Sequence, residues 1–211
     1  MSTSAKVTAR QRIENLLDDN SFVEIGAYVK ARNTDFNIQA KDTPSDGVIT
    51  GYGVINGGLV YVYSQDASVL GGSVGEMHAK KIASLYDMAM KTGSPVIGLI
   101  DSTGLRLQES VDGLNAFGQI YMKQSLASGV IPTVTAIFGN CGGGLSIVAG
   151  LSDFTFMEVE NAQLFVNSPN AITENRKEIC DNASAKFQSE EAGNVDFVGT
   201  EAEVIEGIRN L

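Results

Sequence analysis

The chain is poor in the residues from which many active sites are built. Its 211 residues include one histidine, two cysteines and no tryptophan, which excludes multi-histidine metal sites. Cys141 and Cys180 lie far apart without metal-ligand spacing, a pattern that suits free thiols in a reducing compartment better than a disulfide. Positive charge is also scarce: 15 Lys and Arg stand against 25 Asp and Glu, the net charge is −10, and no basic cluster stands out. This argues against nucleic acid and against adhesion to anionic lipid. It leaves room for an anionic ligand, because a local glycine-rich loop can hold one on an acidic surface. The opening MSTSAKVTARQRIENLL has no apolar signal core, and no run reaches the ~20 apolar residues of a membrane span. A cytoplasmic protein is the expectation.

With 43% apolar and 19% charged residues the chain reads as globular and long enough for a sizeable core. Residues 6–17 suit an amphipathic opening helix, and 22–46 read as an irregular surface stretch. Two β-rich runs, Val48–Tyr52 and Leu59–Ser64, flank "INGG", which signals a hairpin. Three βα units follow. The helix "SVGEMHAKKIASLYDMAMKTG" leads to the strand "PVIGLID", and "GLNAFGQIYMKQSLASG" leads to "PTVTAIFG". A glycine-opened helix then begins near Gly143, with "DFTFME" as the strand after it. Alternation of this kind points to an α/β fold. The expected domain is single, with a core over 10–165 and a peripheral arm over 166–211 that closes in a helix, Glu201–Leu211.

Three strand ends carry chemistry. In "FGNCGGGLSIVAGLSDFTFM" three glycines stand at the mouth of a helix, where glycine is costly. Bare N–H groups at a helix start carry the positive end of the macrodipole and can stabilise an oxyanion. Close packing of helix on strand explains the same glycines equally well. Gly71, Gly72 and Ser73 form a second glycine loop before the His78 helix, and two such loops suggest a ligand held between them. In the third, "DSTGLRLQES", Arg106 either grips a phosphate or carboxylate or pairs with Glu109 as a structural salt bridge. His78 reads as a structural histidine rather than a base. "AMKT" (Ala89–Thr92) lacks the hairpin context of a biotin-carrying lysine and is rejected as one. With no side-chain nucleophile in view, the chemistry falls to backbone electrostatics.

The stretches "DGVITGYGVINGGLVYVYSQDASVLGGSVGEMHAKKI", "GSPVIGLIDSTGLRLQES" and "LASGVIPTVTAIFGNCGGGLSIVAGLSDFTFM" together resemble the N-terminal domain of acyl-CoA carboxyltransferases. The likeness runs in order from about Arg10 to Phe165 and includes "RIENLLDDNSFVEI". It implies a crotonase-like spiral of ββα units, with Gly143 and Gly144 as an oxyanion hole for an acyl-CoA thioester. Gly71, Gly72, Ser73, Gly104 and Arg106 would line the acyl-CoA groove. Biotin would be carried on a partner, so the implied partners are a biotin carrier protein and a separate carboxyltransferase C-terminal half, in an oligomer. The chain would be one half of a split enzyme or a truncated product. The alternatives are a free-standing crotonase-type hydratase, isomerase or decarboxylase, and a non-catalytic acyl-CoA-binding subunit. Departures from the family pattern are Thr103 and the bulky Leu105 in a Gly-Gly-Ala-Arg stretch, Ser110 in place of a glycine, and Gly142 where alanine is common.

Overall fold

The structure, a computed structural model, describes residues 7–33, 42–168 and 181–211; Cys180 lies outside them. The hairpin is longer than the sequence signal, with β2 (Val48–Ile55) paired to β3 (Gly58–Gln65) through a two-residue turn. Asn56 and Gly57 both take positive φ, 50° and 85°, the geometry that matches strand twist in a tight hairpin. A short strand missed in the sequence, β1 (Val23–Ile25), pairs antiparallel with β2. From β3 onward the sheet is parallel, adding β4 (Val96–Ser102), β5 (Thr133–Gly142), β6 (Phe154–Glu158) and β8 (Phe197–Gly199). β5 serves two neighbours on the edge away from β4, since beyond its pairing with β6 its last three residues pair with β7 (Gln163–Phe165), which leaves the main path.

Side chains alternate across the sheet and feed two apolar layers. Tyr61, Tyr63, Val96 and Ile100 face α2 (Glu76–Thr92), α3 (Ser110–Ala127) and α4 (Gly144–Gly150). Val60, Val62, Ile97 and Leu99 face α1 (Ala9–Leu16) and α6 (Glu201–Arg209). The α/β expectation therefore holds. The expectation of a peripheral arm over 166–211 does not, because Val204, Ile205 and Ile208 of α6 are buried beside Ile13 and Leu16 of α1. The polar composition of the tail hid this: α6 carries one narrow apolar face, started by a capping box on Thr200 and Glu203. Between β7 and β8 lies one more short helix, α5 (Ala185–Glu190). Buried Arg12 ties these parts together, pairing with Asp101 at 3.3 Å and Glu201 at 2.8 Å and lying over the Phe138 ring. Among the described residues no helix is long and apolar enough to cross a membrane.

Candidate active site

The carboxyl ends of β3, β4 and β5 lie side by side, and the three glycine loops leave from them. The Thr103 amide donates to Gly71 O at 2.9 Å, and Val74 donates to Gly104 O at 2.8 Å. A Cβ on Gly72 would come within 2.4 Å of Asp101 O, so glycine there is forced by backbone crowding. A Cβ on Gly104 would meet Gly142 O at 3.3 Å, which places the second loop against the third. All seven residues expected at the site thus fall in one run of neighbouring loops.

The three consecutive glycines have three separate reasons. Gly142 leaves room for the Phe165 ring, 2.5 Å from where its Cβ would stand. Gly144 packs on α3, where a Cβ would sit 2.7 Å from Tyr121 Oη and 2.9 Å from Phe117. Gly143 has open space around it, but its φ of 59° and ψ of −124° form a conformation that glycine adopts freely and that strains a residue with a Cβ. Ser146 fixes the direction of the next peptide, donating to Gly143 O from Oγ at 2.7 Å and from its amide at 3.2 Å. In a trans peptide the N–H opposes the C=O, so the Gly144 N–H points away from α4, out of its N-terminus. Among the described residues that amide has no backbone acceptor, whereas the Gly143 amide donates to Phe165 O at 3.0 Å. Of the two amides expected to act as donors, only that of Gly144 is available.

Arg106 sits behind the loops. It is 3% exposed and donates to Asp46 Oδ1 at 2.6 Å, Glu109 Oε1 at 2.9 Å, Ser73 O at 2.6 Å and Ser73 Oγ at 3.2 Å. A fifth, longer bond runs to Asp46 O at 3.4 Å, so all five guanidinium N–H groups are committed to the protein and none is left for a ligand's phosphate or carboxylate. The expected direct grip is corrected to the ion-pair alternative: Arg106 positions the first two loops. Gly75 is glycine for this cluster, since a Cβ would lie 2.3 Å from Glu109 Oε1 and 2.5 Å from Arg106 Nη1. Asp46, absent from the sequence reading, sits in the left-handed turn Ser45–Asp46–Gly47 of "PSDG", an Asp-Gly pair that was its only signal. Burial raises its carboxyl above the ordinary range, and the guanidinium opposes that rise.

The same two carboxylates cap α2. Glu109 accepts from the Glu76 amide at 2.6 Å and Asp46 from the His78 amide at 2.7 Å. The positive end of α2 is therefore neutralised internally, and Gly71–Ser73 does not open a free anion site at that helix start. His78 is fully buried, with Nδ1 3.0 Å from Asp46 O and Nε2 3.2 Å from Gln65 Nε2. These partners assign the proton to Nδ1. Burial holds the ring neutral down to about 3, in keeping with a structural histidine. Burial also pushes the Cys141 thiol up to about 12, which leaves no thiolate nucleophile there.

Two departures from the family pattern acquire physical consequences. Leu105 turns inward against Gly113 of α3, whose Cβ would lie 2.9 Å from it. Ser110 keeps a glycine-like backbone, φ 47° and ψ −120°, and so carries strain.

The match to the carboxyl transferase domain runs over residues 2–211. The chain is 48% identical over 169 residues to the methylmalonyl-CoA decarboxylase subunit alpha of Propionigenium modestum, covering 80% of this chain and 33% of that protein. It is 48% identical over 167 residues to the propionyl-CoA carboxylase beta chain of Roseobacter denitrificans, covering 79% of this chain and 33% of that one. Among solved structures it superposes on transcarboxylase 12S, a hexamer described with methylmalonyl-CoA and methylmalonic acid bound. That match has a TM-score of 0.89 and 37% identity, over 95% of this chain and 40% of that one. The chain spans about a third of the length of these curated relatives. The crotonase-like fold is thereby established, and the chain belongs to the carboxyl transferase domain family.

Proposed function

We propose that the chain is the acyl-CoA-binding half of a biotin-dependent carboxyltransferase and requires a separate C-terminal half for turnover. The observation that carries this is the Gly143–Gly144 peptide, whose outward N–H stands at the convergence of three glycine loops. A thioester oxygen accepting from Gly144 N–H would lie on the axis of α4, where the helix adds positive potential. When the α-proton leaves, or when the bond from the α-carbon to the carboxyl group breaks, an electron pair moves toward that oxygen. The amide stabilises the resulting enolate, which then takes up CO₂ or a proton at the α-carbon. One such donor is worth about 3–4 kcal/mol in other enzymes.

Biotin borne by a partner carrier protein would supply the CO₂ in its carboxylated form, or accept it in its free form. Lys91 of "AMKT" lies in the last turn of α2, so no biotin is assigned to this chain. Gly71, Gly72, Ser73 and Gly104 form the groove for the CoA moiety. Gly143 and Arg106 act by positioning, the first through its peptide and the second through Ser73 O. A hydratase reading is disfavoured because α4 (GLSIVAG) carries no carboxylate, and Asp46 and Glu109 are tied up behind the loops.

Affinity purification from the source, with mass spectrometry of what accompanies the chain, tests the reading. A second carboxyltransferase half with a biotin carrier supports it. Turnover of an acyl-CoA by the chain alone overturns it.

A further inference from the structure

The helix that carries the available amide, α4, is seven residues long, too short to hold its place unaided. It is gripped near both ends by α3. Tyr121 Oη donates to Gly144 O at 2.7 Å. One turn further along α3, Gln124 Nε2 donates to Val148 O at 2.8 Å and to Ser152 Oγ at 3.1 Å. The spacings match, because residues three apart on one helix and four apart on the other each lie one turn apart on a single face. Gln124 is buried, whereas Tyr121 is half-buried beside Phe117, with ring centroids 5.9 Å apart.

The tyrosine hydroxyl occupies the place a side chain would need. A Cβ on Gly144 would lie 2.7 Å from Tyr121 Oη, so glycine is what admits the hydroxyl to the carbonyl. Glycine also gives up the steric restraint that a Cβ imposes on its own backbone. Two hydroxyls restore it. Ser146 Oγ donates to Gly143 O, in the peptide before Gly144 Cα, and Tyr121 Oη donates to Gly144 O, in the peptide after it. The two bonds differ in what they fix. Ser146 belongs to α4, so its bond sets the amide's direction relative to that helix alone. Tyr121 belongs to α3, whose Phe117 and Ile120 are buried in the core, so its bond ties the start of α4 to the body of the fold.

We propose that Tyr121 is a positioning residue for the oxyanion donor: its hydroxyl pins the peptide after Gly144 to α3, so that the Gly144 amide keeps its aim while negative charge builds on a bound thioester oxygen. The inference rests on the reading of that amide as the donor. Such donors need to be held to within about 0.5 Å, and a second element supplies that precision where a two-turn helix does not. Burial raises the pKa of the Tyr121 hydroxyl above its ordinary value, so it remains a proton donor at neutral pH.

The test reads the thioester carbonyl directly. Propionyl-CoA, isotopically labelled at that carbonyl, is added to the full chain in complex with its second half, and the C=O stretch is recorded by difference infrared spectroscopy. In the wild type the band should lie below that of free propionyl-CoA. Gly143→Val should abolish the displacement. Tyr121→Phe, which keeps the ring and removes only the hydroxyl, should reduce it and broaden the band. Its kcat should fall about tenfold, the size of one misaligned hydrogen bond, with KM little changed. Tyr28→Phe, on a fully exposed ring, should alter neither. A Tyr121→Phe variant that loses stability while its band and kcat stay at wild-type values overturns the inference, and the donor reading stands. A wild-type band no lower than that of free propionyl-CoA, or one indifferent to Gly143→Val, removes the donor itself and this inference with it.

Discussion

Two regions of the site, on loops that meet in space, are built on opposite principles. Around Arg106 every donor is matched: two carboxylates, two carbonyls and a hydroxyl surround one guanidinium, and Gly75 is cut back to admit them. At Gly143–Gly144 the protein holds a peptide by its carbonyl and leaves the amide beyond it unmatched among the described residues. The first arrangement yields rigidity, and the second yields a place for charge that is not yet there. A buried cation whose partners are complete is a scaffold, however much its residue type suggests a ligand grip.

The sharpest way to break this comparison is to remove the charge from the matched region. Arg106→Met leaves Asp46 and Glu109 buried and uncompensated, and should cost about 3–5 kcal/mol in urea unfolding at neutral pH. The loss should shrink toward acid pH, where the Asp46 carboxyl, raised by burial, takes a proton. Arg106→Lys should recover little of it, because one ammonium cannot replace the guanidinium's several donors. If Arg106→Met folds with native stability but no longer binds an acyl-CoA, the assignment of Arg106 to the scaffold is wrong.

In the unmatched region the order of effects reverses. Gly143→Val cannot hold φ 59° with ψ −124°, so the peptide after it should rotate and withdraw the Gly144 amide. With the partner half present, kcat should fall by about 10²–10³, equivalent to about 3–4 kcal/mol of barrier. The accompanying loss of stability should be only about 1–3 kcal/mol, because no side chain crowds that position. Turnover that survives the substitution would remove the backbone amide from the mechanism.

The sequence discloses the unmatched region better than the matched one. A run of glycines before an apolar stretch, the turn at Asn56–Gly57 and the alternation of strands and helices are local signals. Each was legible without the fold. The Arg106 cluster draws on Asp46, sixty residues away in sequence, and on a glycine at 75 whose reason appears only when Glu109 arrives beside it. Likewise β1 is three residues long and acquires its identity from pairing with β2, while α6 is buried by contacts with α1 from the far end of the chain. The division between the two glycines was also out of reach. That Gly143 is glycine for its backbone and Gly144 for its neighbours requires Tyr121 and Phe117 to be in place.

A titration sharpens the comparison from the matched side. Unfolded, His78 takes a proton near its ordinary 6.5; folded, burial delays this to about 3. The unfolded chain binds more protons across that window, so stability should fall as pH drops from about 6.5 toward about 3, by about 1.4 kcal/mol per pH unit. Asp46 acts in the opposite sense, since burial raises its folded value and the native state takes its proton first. His78→Asn separates the two: the variant is less stable throughout, but its stability should decline less steeply with falling pH by one proton's worth. An unchanged slope would mean that His78 is charged in the native protein.

The smallest effects test whether an empty space is a strained one. Ser110→Gly should stabilise the chain by about 1 kcal/mol, the relief of a φ of 47° less the extra chain entropy of glycine. Gly118→Ala fills a space that meets no atom within 4 Å, so by helix propensity the isolated chain should gain about 0.5–1 kcal/mol. Thermal unfolding measures both gains, and a loss of stability in Gly118→Ala would show that, as at Gly143, glycine there is held for more than the space around it.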